Sequence, residues 1–133
     1  MSIDLHAATA IITAAMSKAE ALGARVSVAV VDAGGNLVAF SRMDGAEIAG
    51  PSLAVDKAYT AVSNSISTQE LGVLAAPGGE LFGIQANGGG RYVIFGGGIP
   101  IRDGDVIVGG IGVSGGAVEQ DVACADAGLA ALG

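Results

Sequence analysis

Tryptophan is absent from this chain, and histidine and cysteine occur once each, as His6 and Cys124. One cysteine permits no internal disulfide, which points to a reducing compartment. A lone imidazole and a lone thiol more than a hundred residues apart do not have the spacing of a zinc site, so no bound metal ion is expected. A Ser-His-Asp set would have to draw on His6, and the sequence does not favour one. Positive charge is also scarce. Six Lys and Arg stand against 13 Asp and Glu, for a net charge of −7. Such a chain repels phosphate backbones, which argues against nucleic acid as a partner. No helix pattern is rich in Lys and Arg, so a membrane surface is not an expected partner either. No apolar run reaches the roughly 18 residues of a membrane span. The opening MSIDLHAATAII lacks a basic region and carries Asp4, unlike a signal peptide, so a soluble cytoplasmic protein is expected.

Small apolar residues fill the space left by these absences. The chain has 133 residues, 51% of them hydrophobic, 14% charged and 23 of them glycine. That length suits one domain spanning 1–133. So little charge leaves apolar surface uncovered, which predicts a homo-oligomer.

Leu5, Ala8, Ile12, Ala15, Ala19 and Leu22 recur at steps of three and four, predicting a helix over 4–22 with Gly23 as its stop. Val26–Val31 is apolar at nearly every position and reads as a central strand. Asp32–Asn36 is a turn, and Leu37–Met43 returns antiparallel. Pro51 opens a second helix to about Asn64, with proline in its first turn. Ser67 and Glu70 form a capping box for a short helix to Leu74. Pro77-Gly78-Gly79 breaks it, and Glu80–Ala86 is read as one or two further helical turns. Arg91–Phe95 is predicted as a strand. Ile99–Ile101 and Val106–Val108 form a hairpin about Arg102-Asp103-Gly104-Asp105, whose Asp-Gly suggests a type I′ turn. A last helix runs from Ala117 to Leu132, with Glu119 and Asp121 complementing its dipole. The expected fold class is therefore α+β: a five-stranded antiparallel sheet flanked by helices, with the N- and C-terminal helices packed on it.

The stretch FGGGIPIRDGDVIVGGIGVSGG, from Phe95 to Gly116, organises the whole. So many glycines around a hairpin imply that a helix or a ligand comes close to this backbone. Gly110, Gly112 and Gly115 also fit G-x-G-x-x-G after a strand. That fingerprint requires a second parallel strand and a distant acid, and no strand is predicted after Ala117. Helix-against-sheet packing is the preferred reading.

Three groups of residues are candidates for chemistry. Arg42, with Asp44 near it, could hold a carboxylate or form a surface pair. Lys57, with Tyr59 and Thr60, lies at the edge of the Ala54, Ala58 and Ala61 stripe, where a lysine either snorkels or binds an anion. Arg91 and Tyr92 follow a glycine loop, and Tyr92 offers a flat face with a polar tip. His6 is either a surface residue or an axial ligand to haem iron.

Several segments, taken together and in order, resemble a known family: VDAGGNLVAFSRMDGA at 31–46, KAYTA at 57–61, GGIPI at 97–101, VGGIGVSG at 108–115 and Gln120-Asp121. The chain is similar over nearly its whole length to the GlcG/HbpS-like family, which also supplies the C-terminal domain of PduO-type proteins. The resemblance implies a profilin-like layered domain and dimers that assemble further, in some members to octamers. Some members bind haem, some secreted ones degrade it or sense iron, and others accompany catabolic operons. Under this resemblance Thr60 and His6 are the candidate haem ligands.

Two functions follow. One is a small-molecule-binding oligomer, accessory to a catabolic pathway. It would hold haem or another planar ligand in a cleft lined by Arg42, Lys57, Tyr59, Thr60 and Arg91, with Gly97 and Gly98 allowing close approach. The other is a cofactor-free isomerase, hydratase or lyase with Lys57 or Asp44 as its acid/base.

Overall fold

The computed structural model describes residues 1–132. Helix α1 spans Leu5–Leu22. The Asp4 carboxylate accepts the Ala7 N–H at 2.8 Å, and Gly23 ends the helix at φ 70°, where a side chain would be strained. Strands β1 (Ser27–Asp32) and β2 (Leu37–Arg42) form a hairpin. Helices α2 (Gly50–Asn64) and α3 (Thr68–Leu74) follow. Strands β3 (Gly98–Asp103) and β4 (Val106–Ser114) lead to helix α4 (Val118–Ala130).

The sheet has four strands in the order β2-β1-β4-β3, each antiparallel to its neighbours. The two central strands are both buried, as the unbroken apolar run in β1 requires. Helices α1 and α4 pack on one face, where Ala8, Ile11 and Ala15 meet Val28, Val30, Ile111, Val113 and Ala125. Helix α2 covers the other face, over β4, β1 and β3. There the backbone of Gly112 lies against Ala54 and Ala58, and a Cβ at Gly110 would stand 2.7 Å from the Ala58 carbonyl. Gly110 and Gly112 of the G-x-G-x-x-G spelling thus serve helix-on-sheet packing, and the helix involved is α2, while Gly115, at φ 140°, lies against the backbone of Arg25 and Val26.

The sheet is one strand short of the five expected, because Arg91–Phe95 joins no ladder. Its backbone pairs instead with a side chain: the Val93 N–H donates to Thr60 Oγ1 at 3.0 Å, and the Arg91 carbonyl accepts from that hydroxyl at 3.2 Å. The segment before it is turned by Gly88, Gly89 and Gly90, all at positive φ. Glu80–Ala86 is likewise mostly turns, with one 3₁₀ turn at Ile84–Ala86 after Gly83 at φ 91°. The β3–β4 turn is Gly104-Asp105, and only Gly104 has positive φ. A type I′ turn needs two such residues, so the turn is not of that type. The Ser67 half of the capping box forms, its Oγ accepting the Glu70 N–H at 3.1 Å, but the Glu70 carboxylate accepts from the Ser67 hydroxyl at 3.0 Å rather than from its backbone N–H.

Candidate functional site

Lys57 is the largest fully buried side chain among the described residues. It leaves α2 on one face of the sheet. Its Nζ donates to the Val113 carbonyl at 2.8 Å and to Asp121 Oδ2 at 3.3 Å, and Asp121 belongs to α4 on the opposite face. The ammonium also sits 4.8 Å from the centroid of the Phe95 ring, within cation–π range. Gly97, at φ 128°, makes room for it: a Cβ there would stand 2.7 Å from Nζ. Gly98 packs against the Lys57 backbone and gives its N–H to Thr68 Oγ1 at 2.9 Å. Asp121 is held from the other side by the Gly116 N–H, at 2.9 Å. Burial pushes the Lys57 ammonium below its ordinary value, and the Asp121 charge opposes that. Burial likewise raises the Asp121 carboxyl, against the pull of Lys57. Desolvation favours the neutral form of both groups, while their attraction favours the charged forms.

The half-buried Tyr59 and Arg91 form a second group with the buried Thr60. The Arg91 guanidinium lies 3.7 Å from the Tyr59 ring centroid and bonds Asp56 Oδ1 through Nε at 3.0 Å. Tyr92 stacks on Tyr59 with centroids 6.4 Å apart. Gly88 packs beneath Tyr92 and Gly35 beneath Tyr59, so these rings pin a glycine loop to α2. Thr60 is fully buried, and its hydroxyl is engaged with backbone groups rather than turned to a cavity. Arg42 lies apart from both groups: its Nη2 donates to the Ala46 carbonyl, and no ion pair joins it to Asp44, which is exposed. The structure therefore gathers Lys57 with Gly97 and Gly98, gathers Tyr59 and Thr60 with Arg91, and brings neither Arg42 nor Asp44 to them.

His6 is exposed in the first turn of α1. Gly112-Val113-Ser114-Gly115-Gly116 spells G-x-S-x-G at a strand-to-helix turn. Ser114 is only 3% exposed, however, and has no hydrogen bond to the imidazole, so no triad is built there.

Two features were not anticipated from the sequence. One is Asp121 as the partner of Lys57. The signal was an acid five residues after Gly116, but its position in the first turn of α4 already accounted for the charge. The other is a cavity of about 700 Å³ between the N-terminal segment, the β3–β4 hairpin and the end of α4. Ile3, Pro100, Ile101, Val108, Leu129 and Leu132 provide its apolar walls, with Asp4 and Arg102 also lining it. The Ile3 N–H donates to the Val108 carbonyl at 2.8 Å, which fixes the N-terminal wall.

No helix among the described residues is long and apolar enough to cross a membrane, and among them no cluster of His, Cys, Asp and Glu could hold a metal ion.

This architecture has close counterparts. The chain is 41% identical over 130 residues to the corrinoid adenosyltransferase PduO of Salmonella typhimurium, covering 97% of itself but only 38% of that relative's length. It is 39% identical over 128 residues to a 15.0 kDa protein from the dhaT-dhaS intergenic region of Citrobacter freundii, covering 96% of itself and 90% of that protein. The crystal structure of the PduOC:haem complex superposes with a TM-score of 0.94 at 36% identity, over 98% of this chain and 95% of that one. The family model of the haem-degrading protein HbpS-like matches residues 3–130, the whole of the sheet and all four helices included, and the chain belongs to that HbpS-like family.

Proposed function

We propose that this chain is a haem-binding module. The observation that carries the reading is the match, over nearly all of both chains, to a relative crystallised as a haem complex. The 700 Å³ cavity supports it from this chain's own residues. Its volume lies within the roughly 300–1,000 Å³ of small-molecule sites, and its apolar walls are joined by the polar side chains of Ser2, Asp4, Arg102 and Asp103. Ile3, Pro100, Ile101 and Leu129 would face the ring, and Arg102, whose Nη2 donates to the Ser65 carbonyl at 3.0 Å, would have to exchange that bond to meet a propionate. His6, the chain's one imidazole, lies in the same helical turn as the lining residue Ala7 and is the axial candidate. Bound haem would supply a redox-active iron that the side chains themselves lack. The second cavity, near Gly97 and Gly98, is about 250 Å³ and suits only a smaller guest.

The wider role we assign is that of a cytoplasmic homo-oligomer, built from dimers and accessory to a catabolic pathway. Leu5, Leu37, Phe82 and Val106, each more than half exposed, supply apolar surface for such assembly.

A haemin titration followed by absorbance tests the binding, with His6→Ala and Arg102→Ala beside the wild type. A saturable shift of the Soret band is expected, its position changed in His6→Ala and its affinity lowered in Arg102→Ala. A titration that only adds the spectrum of free haemin overturns the proposal. Light scattering at micromolar concentration tests the assembly, and a monomer mass rejects it.

A further inference from the structure

A partly exposed aromatic ring lies over the buried Lys57 amine. The Phe95 ring covers Nζ at 4.8 Å and is itself 42% exposed. Phe95 belongs to a segment that joins no strand and is followed directly by Gly96 and Gly97, so no ladder bond fixes its side chain over the amine. On the other side Gly97 is the wall. It borders the 250 Å³ cavity together with Gly98, Ser67 and Val122, and the place of its missing Cβ lies 2.7 Å from Nζ. A lysine used only to tie two helices together needs neither a thin aromatic cover nor a cavity behind glycine. A desolvated amine with a carboxyl group in reach has both parts of a condensation with a carbonyl compound: the nucleophile and its proton partner.

We propose that Lys57 is a carbonyl-reactive amine that forms an imine with a small aldehyde admitted beside Phe95, with Asp121 handling the proton. The balance closes without any further reagent. The ammonium first gives a proton to Asp121 Oδ2, 3.3 Å away. The freed nitrogen lone pair attacks the carbonyl carbon; a C–N bond forms and the C=O π pair moves to oxygen. A proton passes from nitrogen to that oxygen, giving the carbinolamine. The Asp121 carboxyl then protonates the hydroxyl, water leaves, and the nitrogen pair closes the C=N bond. The products are a protonated imine, one water and the Asp121 carboxylate. That carboxylate faces the iminium as it faced the ammonium.

The chain has only two lysines, Lys57 and the exposed Lys18, which serves as an internal reference. The intact protein is treated with acetaldehyde and sodium cyanoborohydride at neutral pH, and ethylation at each lysine is followed by peptide mass mapping. Lys57 is expected to react faster than Lys18, because burial favours its free-amine form. In Asp121→Asn, with the fold checked by circular dichroism, the Lys57 rate should drop while the Lys18 rate stays: losing the charge leaves more free amine, but the carbinolamine loses the acid that protonates its hydroxyl. In Phe95→Ala the Lys57 rate should rise. A Lys57 rate equal to or below that of Lys18, in both the wild type and Phe95→Ala, overturns the proposal. Haem does not enter this experiment, so its outcome is independent of the larger cavity.

Discussion

Lys57 Nζ lies 3.3 Å from Asp121 Oδ2, although the helices that carry them pack on opposite faces of the sheet. The pair therefore ties the two helical layers together past the end of β3, where Gly97 leaves a passage for the lysine. Both side chains are essentially buried, at 0% and 3% exposure. Removing one partner strands the other charge without water.

Lys57→Met should accordingly cost about 3–5 kcal/mol in chemical denaturation, the usual penalty for an orphaned buried charge. Adding Asp121→Asn should return most of that loss, because the amide still accepts the Gly116 N–H and carries no charge. A loss below about 1 kcal/mol for the single variant, the value of a surface pair, would refute this account.

Gly112→Ala should cost more than Gly104→Ala. The new methyl at 112 meets the backbone of Ala54 and Ala58, which cannot swing aside. Overpacking of this kind costs about 1–3 kcal/mol or more. At Gly104 the space is open and only the left-handed φ of 61° opposes a side chain, a cost of about 1–2 kcal/mol. Equal unfolding midpoints for the two variants would contradict the close packing of α2 on β4.

Thr60→Val should lower stability by about 1–3 kcal/mol, because it leaves the buried Val93 N–H without its acceptor. Amide exchange at Val93 should quicken at the same time. Haemin affinity should stay unchanged in this variant; its loss would make the hydroxyl a ligand after all.

Asp32 should titrate below the ordinary 3.8. The backbone N–H groups of Asn36 and Gly34 each donate to its carboxylate at 2.9 Å, and the Asn36 bond is the main cause. The native carboxyl thus binds its proton less readily than the unfolded one. Its stabilisation is complete above 3.8 and fades as pH falls through the native value. Carboxylate NMR should give that lowered midpoint, and Asp32→Ala should flatten the acid limb of the stability profile. A midpoint at or above 3.8 would remove the turn's contribution.

The elements that the sequence made legible are those whose signal is local. The α1 stripe from Ala8 to Ala19 and the Gly23 stop need only helical periodicity and a left-handed φ. The Ser67–Glu70 cap and the β1–β2 hairpin are equally self-contained. Arg91–Phe95 misled because its apolar, aromatic composition suits a strand while its backbone partner, Thr60, lies 31 residues earlier. The site divided in the same way. Lys57 lies against Gly97 and Gly98, whereas Arg42, placed in the same cleft by the sequence reading, is held away from them by the Ala46 carbonyl.

By itself, then, the sequence determined the helices, the central hairpin, the acidic surface and the glycines that let helix meet sheet, because each follows from spacing, charge or the lack of a side chain. Tertiary structure alone decided that Lys57 faces Asp121, 64 positions away, and that Ile3, Pro100 and Leu129 enclose one cavity. Those relations depend on which layer each helix covers and where β3 begins. Such long-range packing leaves no periodic trace in the chain.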